Sequence, residues 1–191
     1  MTSSVRTFIA VKLPESVLAA IDGAQKRMAA CGLNVRWVKP GNIHLTLRFL
    51  GEVDEGEIDG IAAVLIEAVR GYGPLRLAAA GVGAFPSLKR ARVIWVGVAG
   101  QLTELTALQR LIAGALASIG YPRDKRPFTG HLTLGRVKGA VAAPELMTAM
   151  GALRDFASET VVVDRVILFK SDLQPTGAVY TELRQFPLTG P

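Results

Sequence analysis

The chain has 191 residues, half of them apolar, and a formal charge of +6 at neutral pH. It contains no run of about 20 uninterrupted apolar residues, which excludes a membrane-spanning helix, and its single cysteine, Cys31, excludes an internal disulfide. This length suits one well-buried domain or two small lobes that share a core, and the basic excess suits a polyanionic partner.

Hydrophobic periodicity predicts alternating strands and helices from the N-terminus onwards. The apolar run at residues 8–11 is too short for the core of a secretory signal and is followed by Lys12, so we predict a first strand and a cytoplasmic protein. Apolar residues at helical spacing predict a helix over residues 15–30, which Gly32 ends. The next predicted elements are a strand that begins at His44, a helix over residues 55–70 and a strand over residues 75–82.

The second half of the chain repeats this order of elements. Its predicted elements are a strand over residues 94–98, a helix over residues 101–119, a strand that begins at His131, a helix over residues 142–157 and a strand over residues 162–169. A last strand is predicted over residues 179–183 and Phe186. The glycine-rich segment 81–86 lacks the Gly-Lys-Ser/Thr ending of a phosphate-binding loop, so we predict a turn between strands there.

Both histidines of the chain begin the same four-residue phrase, His-Leu-Thr-Leu, at His44 and at His131. Because side chains alternate along a strand, each histidine shares a face with the threonine two residues later, Thr46 or Thr133, and the leucines face the other way. The phrases lie 87 positions apart. The same offset relates further residues in order: Phe8 and Trp95, Val11 and Val98, Lys39 and Arg126, Pro40 and Pro127.

This common offset indicates a duplicated structure in which the two phrases face one cleft. No linker rich in Gly, Ser or Pro separates the halves. We therefore predict a single bilobal domain over residues 1–191, with an internal repeat over residues 1–87 and 88–174 and a C-terminal strand within residues 175–191.

Two histidines in a cleft suit acid-base chemistry. Since an imidazole has an ordinary pKa near 6.5, one can act as a base and the other as an acid at neutral pH, as in-line displacement at phosphorus requires. The hydroxyls of Thr46 and Thr133 can hydrogen-bond the phosphate oxygens. No metal or other cofactor is predicted, because metal sites usually need three protein ligands. No Gly-x-Ser-x-Gly elbow is present to support a serine-type triad.

Basic residues lie close to both phrases. Arg123, Lys125 and Arg126 lead into the second phrase, whereas Arg48 and Arg136 follow the first and the second. Cations at such positions attract a phosphate and orient its oxygens. For each of these residues taken singly, a solvated surface charge is the alternative interpretation.

At these residues the chain resembles the two-histidine phosphoesterases and, among them, the RNA 2′,3′-cyclic phosphodiesterases, also called 2′,5′ RNA ligase-like proteins. The resemblance runs the whole length of the chain and includes the flanks of both phrases. The segments that carry the resemblance are residues 6–11, 37–43, 49–51, 85–86, 95–97, 126–128 and 186–188, together with Arg136 and Tyr180.

The resemblance implies an α+β fold of two lobes with pseudo-two-fold symmetry and antiparallel sheets around a central cleft. It also implies metal-independent hydrolysis of a 2′,3′-cyclic phosphate terminus to a 2′-phosphate. His44 would be the proton donor to the leaving 3′ oxygen and His131 the proton acceptor, an order that the sequence symmetry does not itself supply. Thr46 and Thr133 would bind the phosphate.

Four further residues are site candidates by the same resemblance. Arg126 and Arg136 would supply cations to the phosphate, and Phe8 and Tyr180 would contact the base or ribose, with ordinary core aromatics as the alternative for this last pair. The chain departs from its relatives at residues 129–130, where Thr-Gly replaces the usual Arg-Pro.

The expected partner is RNA or a nucleotide with a cyclic phosphate end, and a monomer is expected. Two alternatives stay open at this stage. The first is a hydrolase of small cyclic phosphates or 2′,5′-linked nucleotides with weak reverse 2′,5′ RNA ligase activity. The second is a non-catalytic RNA-binding module, which would more naturally use arginine than two imidazoles to hold phosphate.

Overall fold

A computed structural model describes residues 3–175 and 177–190. The first half contains β1 (Ser4–Lys12), α1 (Glu15–Ala29), β2 (Val35–Trp37), β3 (His44–Asp54), α2 (Ile58–Val69) and β4 (Leu75–Phe85). The second half contains β5 (Val93–Gly100), α3 (Leu102–Ser118), β6 (His131–Val137), α4 (Ala143–Gly151), β7 (Val161–Val163), β8 (Arg165–Gln174) and β9 (Gly177–Pro187). The predicted α+β class is confirmed.

Three predicted helices are present with ends that differ by up to three residues, whereas the helix predicted over residues 142–157 ends at Gly151. The helix predicted over residues 55–70 begins at Ile58, because residues 55–57 form a tight 3₁₀ turn in which the Asp54 carboxylate accepts a hydrogen bond from the Gly56 amide (2.8 Å). In the described part of the chain, none of the helices combines the length and the hydrophobicity that a membrane crossing requires.

The core lies between one face of the sheet and the helices. Helix α3 buries Leu105, Leu108, Ile112 and Leu116, which recur at the spacing of one helix face. Helix α1 buries Val17, Ile21, Ala24 and Met28 in the same way. These side chains form one hydrophobic cluster with the leucines of both His-Leu-Thr-Leu phrases. The helices therefore cover the face of the sheet on which the leucines of both phrases lie.

All strand pairings in the described residues are antiparallel and belong to one sheet, in the order β7-β4-β5-β6-β3-β1-β8-β9, with β2 also paired to β6. Strands β3 and β6 lie side by side at its centre, where Leu45 pairs with Leu132. The two antiparallel halves of the sheet are thus continuous at the two phrases.

The halves of the chain exchange strands across this centre. Strand β4 ends the first half but pairs with β5 of the second half, and β8 of the second half pairs with β1 of the first. Each spatial lobe of the sheet is therefore built from strands of both halves.

Both His-Leu-Thr-Leu phrases contain a β-bulge at their final leucine. In β3, Ile9 pairs with Arg48 and Ala10 with Thr46, so Leu47 is left out of the ladder. In β6, Leu134 is left out in the same way. A bulge bends the strand and redirects its side chains, so the bend falls directly after the histidine and threonine of each phrase.

The turn predicted at residues 81–86 is wrong, because β4 continues through this segment to Phe85. Gly83 serves packing instead. The indole ring of Trp95 covers Gly83, where a Cβ would collide with the ring. The glycine-rich composition that indicated a turn therefore makes room for an aromatic side chain on the neighbouring strand.

Candidate active site

The predicted alternation of the phrases is confirmed by burial. Leu45, Leu47, Leu132 and Leu134 are buried in the core, whereas the two histidines and the two threonines are only partly buried. The threonines, together with His44, line a cleft of about 650 Å³ on the face of the sheet opposite the helices.

The pairing of Leu45 with Leu132 determines how the two phrases face each other. Because the strands are antiparallel, continuing this register by one residue in each direction brings His44 opposite Thr133 and His131 opposite Thr46. Each imidazole therefore faces a hydroxyl from the other half of the chain, and a pseudo-two-fold axis passes between the two leucines.

Each imidazole is held by the backbone carbonyl two residues before it. His44 Nδ1 lies 2.9 Å from the Asn42 carbonyl oxygen, and His131 Nδ1 lies 2.8 Å from that of Thr129. A carbonyl can only accept a hydrogen bond, so Nδ1 carries the proton in both rings. Nε2 is therefore the nitrogen of each ring that remains to exchange a proton.

Two aromatic rings enclose His44. Phe8 stacks on the imidazole with centroids 4.7 Å apart, and Tyr180 meets it edge-on at 5.1 Å. Burial lowers the pKa of His44 below its ordinary value of 6.5; the bond to the Asn42 carbonyl opposes this shift, and the nearby His131 adds to it. His44 is therefore held largely neutral at neutral pH in the empty cleft.

His131 has different neighbours. Phe85 meets its ring edge-on at 5.0 Å, and Trp95 lies at 6.4 Å. The offset of 87 relates Trp95 to Phe8, but in the sheet Trp95 pairs with Thr133 and Ala10 pairs with Thr46. Relative to the 87-residue repeat, the pairing of β5 with β6 is therefore shifted by two residues from the pairing of β1 with β3. A shift of two residues keeps each side chain on the same face of the sheet.

A sequence model of LigT-like phosphoesterases matches the chain twice in tandem, over residues 11–95 and 96–180. The chain belongs to this family. An RNA 2′,3′-cyclic phosphodiesterase of Methanothermobacter thermautotrophicus is 35% identical over 184 residues, covering 96% of this chain and 99% of that protein.

Solved structures agree with this membership. A crystal structure of a Thermus thermophilus protein superposes with a TM-score of 0.81 at 29% identity and covers 97% of this phosphoesterase and 98% of that chain. Escherichia coli LigT, crystallised with 3′-AMP, gives a TM-score of 0.75 at 25% identity, with 98% and 99% of the two chains covered.

Three of the arginines singled out from the sequence have separate positions in the phosphoesterase. Arg136 lines the cleft. Arg126 is exposed and is not among the described residues that line it. Arg48 is buried, where its guanidinium donates to the Pro122 carbonyl and pairs with Asp124. Arg48 therefore holds in place the loop that leads towards His131. The Arg48 side chain itself lies away from the cleft.

Phe8 and Tyr180, the candidates for contact with the base or ribose, lie beside His44, and both line the cleft. Phe8 is buried in a small cluster with Phe169, with ring centroids 5.2 Å apart. Tyr180 is only partly buried. Burial raises the pKa of the Tyr180 phenol, which is therefore neutral at neutral pH.

Residues that the sequence did not single out complete the cleft. Asn42 Nδ2 donates to the Ala178 carbonyl (2.7 Å), which fastens the β8–β9 hairpin against the segment before His44. Arg36 on β2 adds a cation to the wall. Strand β2 has only three residues and no counterpart among the described elements of the second half, so neither periodicity nor the repeat indicated it. Among the described residues, no three His, Cys, Asp or Glu side chains form a group that could hold a metal ion.

Proposed function

We propose that this phosphoesterase is a metal-independent RNA 2′,3′-cyclic phosphodiesterase that hydrolyses a 2′,3′-cyclic phosphate terminus to a 2′-phosphate. The observation that carries this proposal is the matched pair of imidazoles, each fixed by a carbonyl at Nδ1 and free at Nε2. The name of the Methanothermobacter relative supports the choice of substrate, and the E. coli LigT complex with 3′-AMP supports a nucleotide in the cleft.

In the proposed reaction, water attacks the phosphorus opposite the 3′ oxygen. His131 Nε2 takes a proton from the water as the new P–O bond forms. The bond between phosphorus and the 3′ oxygen breaks, and protonated His44 gives its Nε2 proton to that oxygen. The product is a 2′-phosphate with a free 3′ hydroxyl. His44 is then neutral and His131 protonated, and proton exchange with solvent restores the starting state.

The threonine hydroxyls stabilise the charge that grows on the non-bridging oxygens. By the register of β3 and β6, Thr133 lies opposite His44 and Thr46 lies opposite His131, so each histidine has a threonine beside it on the neighbouring strand. Preorganised donors of this kind act where charge develops and need no reorganisation during the reaction. Arg136 adds a positive charge to the same wall of the cleft.

A bound substrate would favour the protonated form of His44. His44 must be protonated to act as the acid, yet burial lowers its pKa. A cyclic phosphate bound between the histidines carries a negative charge, which favours the imidazolium and raises the pKa of His44. The acid is therefore charged mainly when the substrate is present.

Phosphorus NMR of the product tests the proposal. Incubation of an oligonucleotide that ends in a 2′,3′-cyclic phosphate should give the 2′-phosphomonoester signal in the presence of EDTA. The His44→Ala and His131→Ala proteins should give none above the uncatalysed rate. A 3′-phosphate product, loss of activity with EDTA, or full activity in His44→Ala would contradict the assignment.

We further propose that the enzyme acts in the cytoplasm as a monomer. The exposed free thiol of Cys31 supports a reducing compartment. Fractionation of cells and light scattering on the purified protein test the two statements separately.

A further inference from the structure

Two arginines face each other directly across the β2–β6 pairing. Arg36 and Arg136 are Cα partners in the register, so their side chains project from the same face of the sheet. Both line the cleft and both are exposed. Like charges at directly opposed positions destabilise a sheet, which makes this pair costly unless an anion lies between the two guanidinium groups.

The arginine pair lacks a counter-charge in the described part of the protein. Within residues 3–175 and 177–190, no carboxylate forms an ion pair with Arg36 or Arg136. The described lining of the cleft holds four cations and no Asp or Glu; its cations are Arg6, Arg36, Lys39 and Arg136. The charge of the cleft lining therefore suits an anion that carries more negative charge than one cyclic phosphate.

The two arginines lie at some distance from the histidines and threonines that are proposed to hold the reacting phosphate. Arg136 follows Thr133 by three residues on β6, which amounts to about 10 Å along an extended strand and less across a bulge. A single nucleotide bridges a distance of this size. The reacting phosphate is already held by two histidines and two threonines, so a second phosphate fits the arginine pair.

We propose that Arg36 and Arg136 form a second phosphate site, which binds the phosphodiester that joins the terminal nucleotide of the RNA to the nucleotide before it. The inference rests on the proposed function, since it takes the reacting cyclic phosphate to lie at the histidines. It makes the enzyme selective for RNA ends, because a nucleoside 2′,3′-cyclic phosphate has no phosphate at this position.

A series of three substrates tests the second site: a nucleoside 2′,3′-cyclic phosphate, the same compound with a 5′-phosphate, and a dinucleotide with a 2′,3′-cyclic phosphate end. For the wild type, kcat/KM should rise at the first 5′-phosphate. In Arg36→Ala that rise should shrink by about 10-fold or more, as expected for the loss of one charge-assisted hydrogen bond. Arg36→Lys should restore part of it.

The matched control is Arg27→Ala, which removes the same charge from an exposed position on α1 outside the cleft. It should keep the wild-type rise. An equal loss in Arg36→Ala on all three substrates, or no rise in the wild type, would overturn the second site.

Binding of the dinucleotide product, which ends in a 2′-phosphate, separates this inference from the proposed reaction. In a plot of log Kd against log salt concentration, Arg36→Ala should reduce the slope by about 0.7, the value for one phosphate contact on a single strand. If the wild type shows this Arg36-dependent binding but no turnover, the second site stands and the proposed function fails. Turnover without any Arg36-dependent binding would support the proposed function and overturn the second site.

Discussion

Gln25 of helix α1 donates a hydrogen bond from Nε2 to the carbonyl oxygen of Leu134, the bulge residue of the second phrase, over 2.7 Å. A second bond from the same amide reaches the Val38 carbonyl (2.9 Å). Across the pseudo-two-fold axis, Gln109 of α3 donates a longer hydrogen bond of 3.4 Å from Nε2 to the carbonyl oxygen of Leu47, the bulge residue of the first phrase. Each buried glutamine therefore supports the strand that carries the His-Leu-Thr-Leu phrase of the other half.

Replacement of Gln25 by leucine should lower both stability and activity. It leaves the Val38 carbonyl without its amide donor and takes one of two donors from Leu134, which also accepts from the Val38 amide. The expected loss of unfolding free energy is about 1–3 kcal/mol, measured by urea denaturation. Gln109→Leu should cost less, because it removes one long bond. A stability loss with unchanged kcat/KM would show that Gln25 does not position the phrase.

The pKa of His44 can be measured directly by NMR, because the sequence contains two histidines and their signals are easily assigned. The imidazole Cε1–Hε1 region of the NMR spectrum holds two signals, and His44→Asn assigns them. The His44 signal should titrate below 6.5, because burial disfavours the imidazolium. Phe8→Leu should admit water and raise this pKa towards 6.5, whereas Leu111→Ala, which alters an exposed side chain on α3, should not. Titration of His44 above 6.5 in the empty protein would contradict the burial argument.

Bound anion should shift the same equilibrium the other way. Addition of 3′-AMP should raise the pKa of His44, since a negative charge favours the imidazolium. The pH profile of kcat/KM, which reports the free enzyme, should be bell-shaped, and the alkaline limb of kcat should lie at higher pH than that of kcat/KM. A profile without two limbs across the neutral range would rule out the paired acid and base.

The threonines of the phrases should matter for rate and little for folding. Thr46→Val and Thr133→Val each remove a hydroxyl from the lining of the cleft. If these hydroxyls bind the phosphate as proposed, each change should lower kcat by about 100-fold, as the loss of an oxyanion donor does. The Thr→Ser variants should recover most of the rate because they keep the hydroxyl. Thr181→Val, an exposed change on β9, is the control. Equal activity of the valine and serine variants would remove the threonines from the mechanism.

The local part of this structure was predictable because it is written in short-range patterns. Helical spacing indicated α1 and α3, and the repeated phrase indicated β3, β6 and the face that each gives to the cleft. The strand exchange was not predictable, because pairing between β1 and β8 depends on contacts over more than 150 residues. Gln25 occupies a core position of α1 that an apolar residue would fill equally well by period, so its role is visible only with its partners.

The strand exchange implies that half of this chain is not a folding unit. A polypeptide limited to one half would have its first and last strands in different lobes, so it could complete its sheet only by trading strands with a second copy. We expect such a fragment to form a symmetrical homodimer with two identical catalytic phrases. Covalent joining of two halves removes that enforced identity. Here the long β9 brings Tyr180 to His44, whereas β7, in the same position on the other lobe, is three residues long and cannot do so for His131.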